Sequence, residues 1–185
     1  MPDELLDVVD ENGSMQGYTI SKKDAHAEGV WHQTVDVWIY NTEGEVLLQK
    51  RSMSKESYPG LLDISAAGHV SAGETRIQAA LRELEEELGI RAEAGELKEI
   101  LASKLSGEPK PGYYNKHVYT VYLLKRDTLP QTLQKEEVES VEFIPLARLE
   151  KEIGDPELTK KYVQRDYYPG LIRAIRAALS GVQGL

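Results

Sequence analysis

The stretch Gly68-His69-Val70-Ser71-Ala72-Gly73-Glu74, with a helix expected from Thr75 to Leu88, constrains this chain more than any other part of it. Thr75 and Gln78 form a capping box, in which each side chain satisfies an orphan backbone donor of the first turn. Gly89 suits the left-handed residue that ends a helix, and Ile90 suits the apolar contact that follows it. At about 100° per residue, Ile77, Leu81, Leu84 and Leu88 fall on one apolar stripe. Glu83, Glu86 and Glu87 gather on a neighbouring face, while Glu85 points elsewhere. Like charges at that spacing cost an isolated helix roughly 0.2–0.5 kcal/mol per pair. A divalent cation reverses the sign of that repulsion, because hard cations bind carboxylate oxygens. Arg82 is four residues before Glu86 and can hold its carboxylate in place. The plain alternative is a solvated acidic face.

The surrounding residues decide against the plain alternative. Gly68, Glu74, Arg82-Glu83-Leu84, Glu86-Glu87 and Gly89-Ile90 fill every defined position of the Nudix box, so the chain resembles the Nudix hydrolases. That resemblance implies an α/β/α sandwich around a mixed sheet. It makes Glu83, Glu86 and Glu87 the ligands of Mg2+ or Mn2+, with the Gly68 carbonyl as one more. It gives Arg82 the role of orienting these carboxylates and Glu74 the role of bracing the loop onto the helix. A further base is expected from the loop before the last strand, where Glu137 is favoured over Glu136; a solvated loop carboxylate is the alternative.

Composition narrows the class without naming it. A chain of 185 residues with 41% hydrophobic and 29% charged residues is expected to form one soluble domain with a sizeable core. No apolar run approaches the ~18 residues that mark a membrane span. The acidic start Met1-Pro2-Asp3-Glu4 is unlike a signal peptide, so the cytoplasm is the expected location. With no cysteine there is no disulfide, zinc thiolate or cysteine nucleophile. The formal net charge of −9 argues against a nucleic-acid partner. It leaves room for a small phosphorylated substrate, since bound cations and a few basic side chains can make one pocket electropositive.

The rest of the chain reads as an α/β fold. Residues 4–20 read as an N-terminal β-hairpin turning at Asp10-Glu11-Asn12-Gly13, followed by a polar connector over 21–26. Thr34–Tyr40 and Glu45–Arg51 read as two strands around Asn41-Thr42-Glu43-Gly44, and 52–60 as a loop. A short strand over 61–67 delivers Gly68. After the box helix, 95–103 reads as a strand and 106–111 as a Gly/Pro loop. Asn115–Leu124 reads as a strand partnered by Val138–Ile144, with a polar loop between them. A helical region begins at Pro145, and a last helix runs from Pro169 to Gly181. A single domain is expected over 1–185: hairpin and connector at 1–30, core at 31–150, and a C-terminal helical segment at 151–185.

Beyond the box, the chain resembles the Nudix branch similar to isopentenyl-diphosphate isomerase. His26, His32, Gln49-Lys50-Arg51-Ser52, Ser54-Lys55, Tyr58-Pro59-Gly60 and Gly68-His69 carry this likeness. In the isomerases, basic residues matching Arg51 and Lys55 hold the substrate diphosphate. Histidines matching His26, His32 and His69 bind a metal there. In this chain they either form a second metal site or serve packing and hydrogen bonding, and His69 is a candidate for substrate contact.

Two departures count against isomerase chemistry. Ala67 stands where the isomerases place a catalytic cysteine. The segment Tyr113-Tyr114-Asn115-Lys116-His117 has no carboxylate where they supply acidic residues. Alkene protonation and allylic deprotonation need two positioned acid/base groups. The expectation is therefore a metal-dependent hydrolase of a diphosphate linkage in a nucleoside diphosphate derivative or similar small molecule. An isoprenoid-diphosphate enzyme and a non-catalytic nucleotide-binding module are the alternatives. Dimers are frequent among relatives, so a homodimer is one expectation.

Overall fold

The structure is a computed structural model and describes residues 4–55 and 57–181. It opens with an antiparallel hairpin, β1 (Leu5–Val9) and β2 (Met15–Ser21), in which Leu6 faces Ile20. Asp10 closes the turn by accepting from the Asn12 and Ser14 amides. The hairpin grips the box loop: the Ala72 amide donates to the Leu5 carbonyl, and the Gly73 amide donates to the Asp7 carboxylate.

The expected polar connector is in fact a helix, α1 (Lys22–Glu28). Ser21 caps it by accepting from the Asp24 amide, and Gly29 ends it with φ of 68°. Its Ser-x-x-Asp start was readable, but a seven-residue helix has too little periodicity to stand out. Packing of Ala25 and His26 against the core holds it.

Next come β3 (His32–Tyr40) and β4 (Glu45–Arg51). The single strand expected over 61–67 is two, β5 (Leu62–Asp63) and β6 (Ala66–His69). They belong to different partners: β5 pairs with β4, and β6 pairs antiparallel with β3. α2 (Arg76–Leu88) has the capping box at Thr75 and Gln78, and Gly89 closes it with φ of 62°. Beyond α2 lie β7 (Lys98–Lys110), β8 (Tyr113–Lys125), β9 (Val138–Pro145), α3 (Leu146–Ile153) and α4 (Tyr168–Leu179).

Two sequence expectations fail at the far edge of the sheet. The Gly/Pro segment at 106–111 is not a loop, because β7 continues through Gly107 and Pro109 to Lys110. β7 is the last strand of the sheet path, so proline removes no ladder bond needed by a further neighbour. The second correction concerns β8, whose partners are β7 on one side and β3, in parallel, on the other. β9 pairs instead with β4.

The main sheet thus runs β5-β4-β3-β8-β7, with β6 on β3 and β9 on β4. Alternation along β3 divides the core. Val35, Val37 and Ile39 pack with Ala79, Ala80, Leu84 and Leu88 of α2. Trp38 packs on the opposite face with Leu149, Leu171, Ile172 and Ile175 of α3 and α4. Helices on both faces of a mixed sheet make the expected α/β/α sandwich.

Candidate active site

α2 carries the acidic cluster, and its orientation differs slightly from the apolar stripe read in the sequence. Ala80, Leu84 and Leu88 are fully buried, and Glu83 and Glu87 are buried with them, at 9% and 5% exposure. Glu86 is half-exposed. These glutamates do not form a solvated face: the helix turns two of them inward, against β6.

Arg82 organises the cluster. Its guanidinium donates to Glu74 at 3.0 Å, to Glu83 at 2.6 Å and to Glu86 at 3.0 Å. It also donates to the His69 carbonyl at 2.9 Å. A planar fork can serve several acceptors at once in a way that an ammonium cannot. Glu74 in turn accepts from the Ser71 amide and braces the loop, as expected. Glu83 lies so close over Gly68 that a Cβ there would collide with its carboxylate. Glu87 accepts from Gln49 Nε2 and from the Ala67 amide, each at 3.3 Å.

The electrostatics would suit a cation. Burial pushes the Glu83 carboxyl up to about 7, against the pull of Arg82. Burial, then the neighbouring Glu83 and Glu137 carboxylates, raise Glu87 well above the usual carboxylate range. Buried carboxylates pressed together hold their charge at a cost that a divalent cation removes. Hard oxygen donors around a bare Cα at Gly68 fit Mg2+ or Mn2+.

Glu137 reaches this cluster from the residue before β9. It is ion-paired with Lys55, and both charges act on Glu87. Arg51 is held by Asp63 at 3.1 Å and by the Ser57 carbonyl at 3.1 Å. Asp63 also accepts from Arg165 at 2.9 Å, and Arg165 bonds Asp36 at 3.3 Å. This alternating network is what Arg51 stands on, and the C-terminal segment reaches the sheet through it.

A second cluster lies at the other end of β6. His26 of α1, His32 of β3, His69 of β6 and His117 of β8 each offer one ring nitrogen, and these four atoms lie within 4.8 Å of one another. His32 and His117 are paired across the parallel β3–β8 ladder. Burial is the first cause in depressing His32 to about 4, and in holding His69 and His117 well below the usual imidazole range.

The chain matches the family model for the NUDIX domain over residues 30–165. The chain belongs to the Nudix family. It is 38% identical over 151 residues to Nudix hydrolase 3 of Arabidopsis thaliana, covering 78% of this chain but only 20% of that longer protein. It is 38% identical over 91 residues to an isopentenyl-diphosphate Delta-isomerase of Serratia proteamaculans, covering 49% of this chain and 50% of that one. The crystal structure of DR0079 from Deinococcus radiodurans superposes with a TM-score of 0.68 at 25% identity, covering 93% of this chain and 99% of that one.

The box residues of this Nudix chain lie together, and Glu137, ion-paired with Lys55, is near enough for both charges to act on Glu87. His69 directs its ring to the histidines and only its carbonyl to Arg82. The site residue missed in the sequence is His117. Its signal was a histidine on a strand facing a second histidine-bearing strand, visible only once β3 and β8 are known to pair. In the sequence Gln49 stands out only through the isomerase-like segment it belongs to; its hydrogen bond to Glu87 gives it a place in the site.

Proposed function

We propose that this protein hydrolyses a diphosphate linkage in a small molecule, such as a nucleoside diphosphate derivative, with Mg2+ or Mn2+ as cofactor. The observation that carries the reading is the packing of Glu83 against the bare Cα of Gly68, with Arg82 tying Glu83, Glu86, Glu74 and the His69 carbonyl together. Glu83, Glu86 and Glu87 would hold the cation, with the Gly68 carbonyl as a further ligand. When bound, a divalent cation neutralises diphosphate oxygens and acidifies the attacking water.

The chain's own residues do the remainder. Arg82 keeps the glutamates aimed, and the Ala67 amide and Gln49 fix the Glu87 carboxylate. Glu137 is the candidate base, ion-paired with Lys55. Arrival of a diphosphate gives Lys55 a stronger anionic partner, which frees the Glu137 carboxylate to take a proton from water. Arg51, steadied by Asp63, adds a second positive charge for the substrate.

Isomerisation is the weaker reading. Ala67 carries no proton donor or acceptor, and β8 supplies His117 in the segment where the isomerases supply carboxylates. The test is a comparison of wild-type protein with Glu86→Gln and Glu87→Gln on diphosphate substrates in Mg2+. Turnover should fall by about 10²–10³-fold in each, in the range of losing a principal electrostatic group. Near-wild-type turnover in either variant removes that glutamate from the mechanism.

A further inference from the structure

Arg51 shares its carboxylate partner, Asp63, with a second arginine, Arg165. Neither Asp63 nor Arg165 belongs to the Nudix box or to the isomerase-like segments. We infer that Arg165 is a positioning residue of the substrate site: by taking one oxygen of Asp63 it keeps Arg51 from closing onto that carboxylate, so that the Arg51 guanidinium stays available to a diphosphate. The role rests on Arg51 being a diphosphate contact.

The Asp63 carboxylate is buried, and its two oxygens are divided. Oδ2 accepts from Arg51 Nη1 at 3.1 Å. Oδ1 accepts from Arg165 Nη2 at 2.9 Å and from the Ile64 amide at 2.9 Å. An arginine and a carboxylate left to themselves favour two parallel bonds. Here Oδ1 is taken, so Arg51 makes one bond to Asp63 and turns Nε to the Ser57 carbonyl at 3.1 Å. With one long bond from Nη2 to Ser57 Oγ at 3.5 Å, Arg51 keeps N–H groups over for an incoming anion.

The charges are divided in the same way. Arg51 and Arg165 face Asp36 and Asp63 in an alternating set. Without Arg165 the full charge of Asp63 falls on Arg51. A guanidinium whose charge is met by a buried carboxylate attracts a phosphate less.

Segments far apart in sequence build this arrangement. β3 and β4 pair at Tyr40 and Val46, near the turn that joins them. Further along, β3 takes β6 as partner and β4 takes β5. Arg165 joins the two sides, bonding Asp36 of β3 at 3.3 Å and Asp63 of β5. The Val163 amide donates to the Leu62 carbonyl at 2.9 Å, which lays this segment along β5. Tyr167 donates to Asp36 at 2.6 Å and accepts from Trp38 Nε1 at 3.2 Å, so the far end of the network is fixed in the core. Arg51 ends β4 two residues beyond Gln49, whose amide bonds Glu87. The C-terminal segment thereby acts on the acidic site through Arg51.

The test is binding of methylenediphosphonate, a diphosphate analogue whose P–C–P bridge is not hydrolysed, measured by calorimetry in Mg2+. Arg165→Met should weaken binding by about 10-fold, the scale of one hydrogen bond to a charged group. Arg165→Lys keeps the charge balance and should stay within about threefold of wild type. Adding Asp63→Asn to Arg165→Met removes the charge that closes on Arg51, and should restore binding to within about threefold of wild type, whereas a purely structural role predicts that the two losses add. Far-UV circular dichroism checks that each variant is folded, and Arg165→Gln, also uncharged, replaces Arg165→Met if that protein is not. Unchanged binding in the uncharged variant, or a double variant as weak as the single one, overturns the inference. Wild-type protein that binds no diphosphonate overturns it as well. Failure of hydrolysis on every substrate, with the diphosphonate still bound, would count against the proposed function and leave the role of Arg165 standing.

Discussion

Arg82 Nη2 donates to the backbone carbonyl of His69 over 2.9 Å, so the guanidinium that organises the acidic helix rests on the strand that carries one of the four histidines. β6 is therefore the shared member of two clusters. Its amide at Ala67 holds Glu87, its bare Cα at Gly68 admits Glu83, and its ring at His69 faces the histidines.

Arg82→Lys keeps a positive charge and loses the fork. A lysine cannot bond Glu74, Glu83, Glu86 and the His69 carbonyl together. Turnover and apparent Mg2+ affinity should fall together by about 10–100-fold, as when a partner that orients metal ligands is lost. A Mg2+ titration of initial rates measures both. An unchanged Mg2+ dependence would show that the glutamates hold their positions without the arginine.

Gly68→Ala places a methyl group where the Glu83 carboxylate lies. The fold should survive, since Gly68 is outside both apolar clusters. The displaced carboxylate should lower Mg2+-dependent thermal stabilisation by at least about 1.4 kcal/mol, a tenfold loss of affinity. A thermal-shift series in Mg2+ reads this, and equal shifts for the two proteins would mean that the close approach is not needed.

The pH dependence of the metal-free protein follows from Glu83. Its carboxyl is raised to about 7 from a usual value of 4.5. The folded state thus holds this proton more tightly than the unfolded chain does. Its contribution to stability is full below pH 4.5 and is lost as pH rises through 7. In chelator, Glu83→Gln should gain melting temperature over wild type at pH 8 and little at pH 5. Mg2+ should stabilise wild type more at pH 8, where no proton competes for the site. The same increment at both pH values would contradict the burial argument.

Arg165 ties the C-terminal segment to the sheet. It bonds Asp36 and Asp63, and Tyr167 donates to the same Asp36 carboxylate at 2.6 Å. Removing one partner of a buried ionic group leaves unpaired charge and costs about 3–5 kcal/mol. Arg165→Met should lower unfolding free energy by that amount in urea, while Arg173→Met, exposed on α4, should be within ~0.5 kcal/mol of wild type. Equal small losses would place Arg165 outside the network that holds the fold.

What was legible in the sequence is what short-range chemistry dictates. Thr75, Gln78 and Gly89 mark the ends of α2, and the spacing of Glu83, Glu86 and Glu87 places them on adjoining faces. Both follow from the 3.6-residue turn. Long-range pairing was not legible. Nothing near His117 indicates that β8 lies parallel to β3, yet that pairing sets His117 beside His32. The Arg165–Asp63–Arg51 chain was equally hidden, because its members are far apart in sequence and each is ordinary alone. The β7 extension departs from the expected loop for a local reason: Gly107 and Pro109 usually break strands, but here they lie on an edge that needs no further partner.

The most direct measurement is 31P NMR of purified protein in Mg2+ with a panel of nucleoside diphosphate derivatives and isopentenyl diphosphate, using Glu87→Gln protein as blank. The account predicts cleavage of a diphosphate linkage in at least one nucleoside diphosphate derivative, absent in the blank, and no dimethylallyl diphosphate from the isopentenyl substrate. Formation of dimethylallyl diphosphate with no hydrolysis of any member would contradict it.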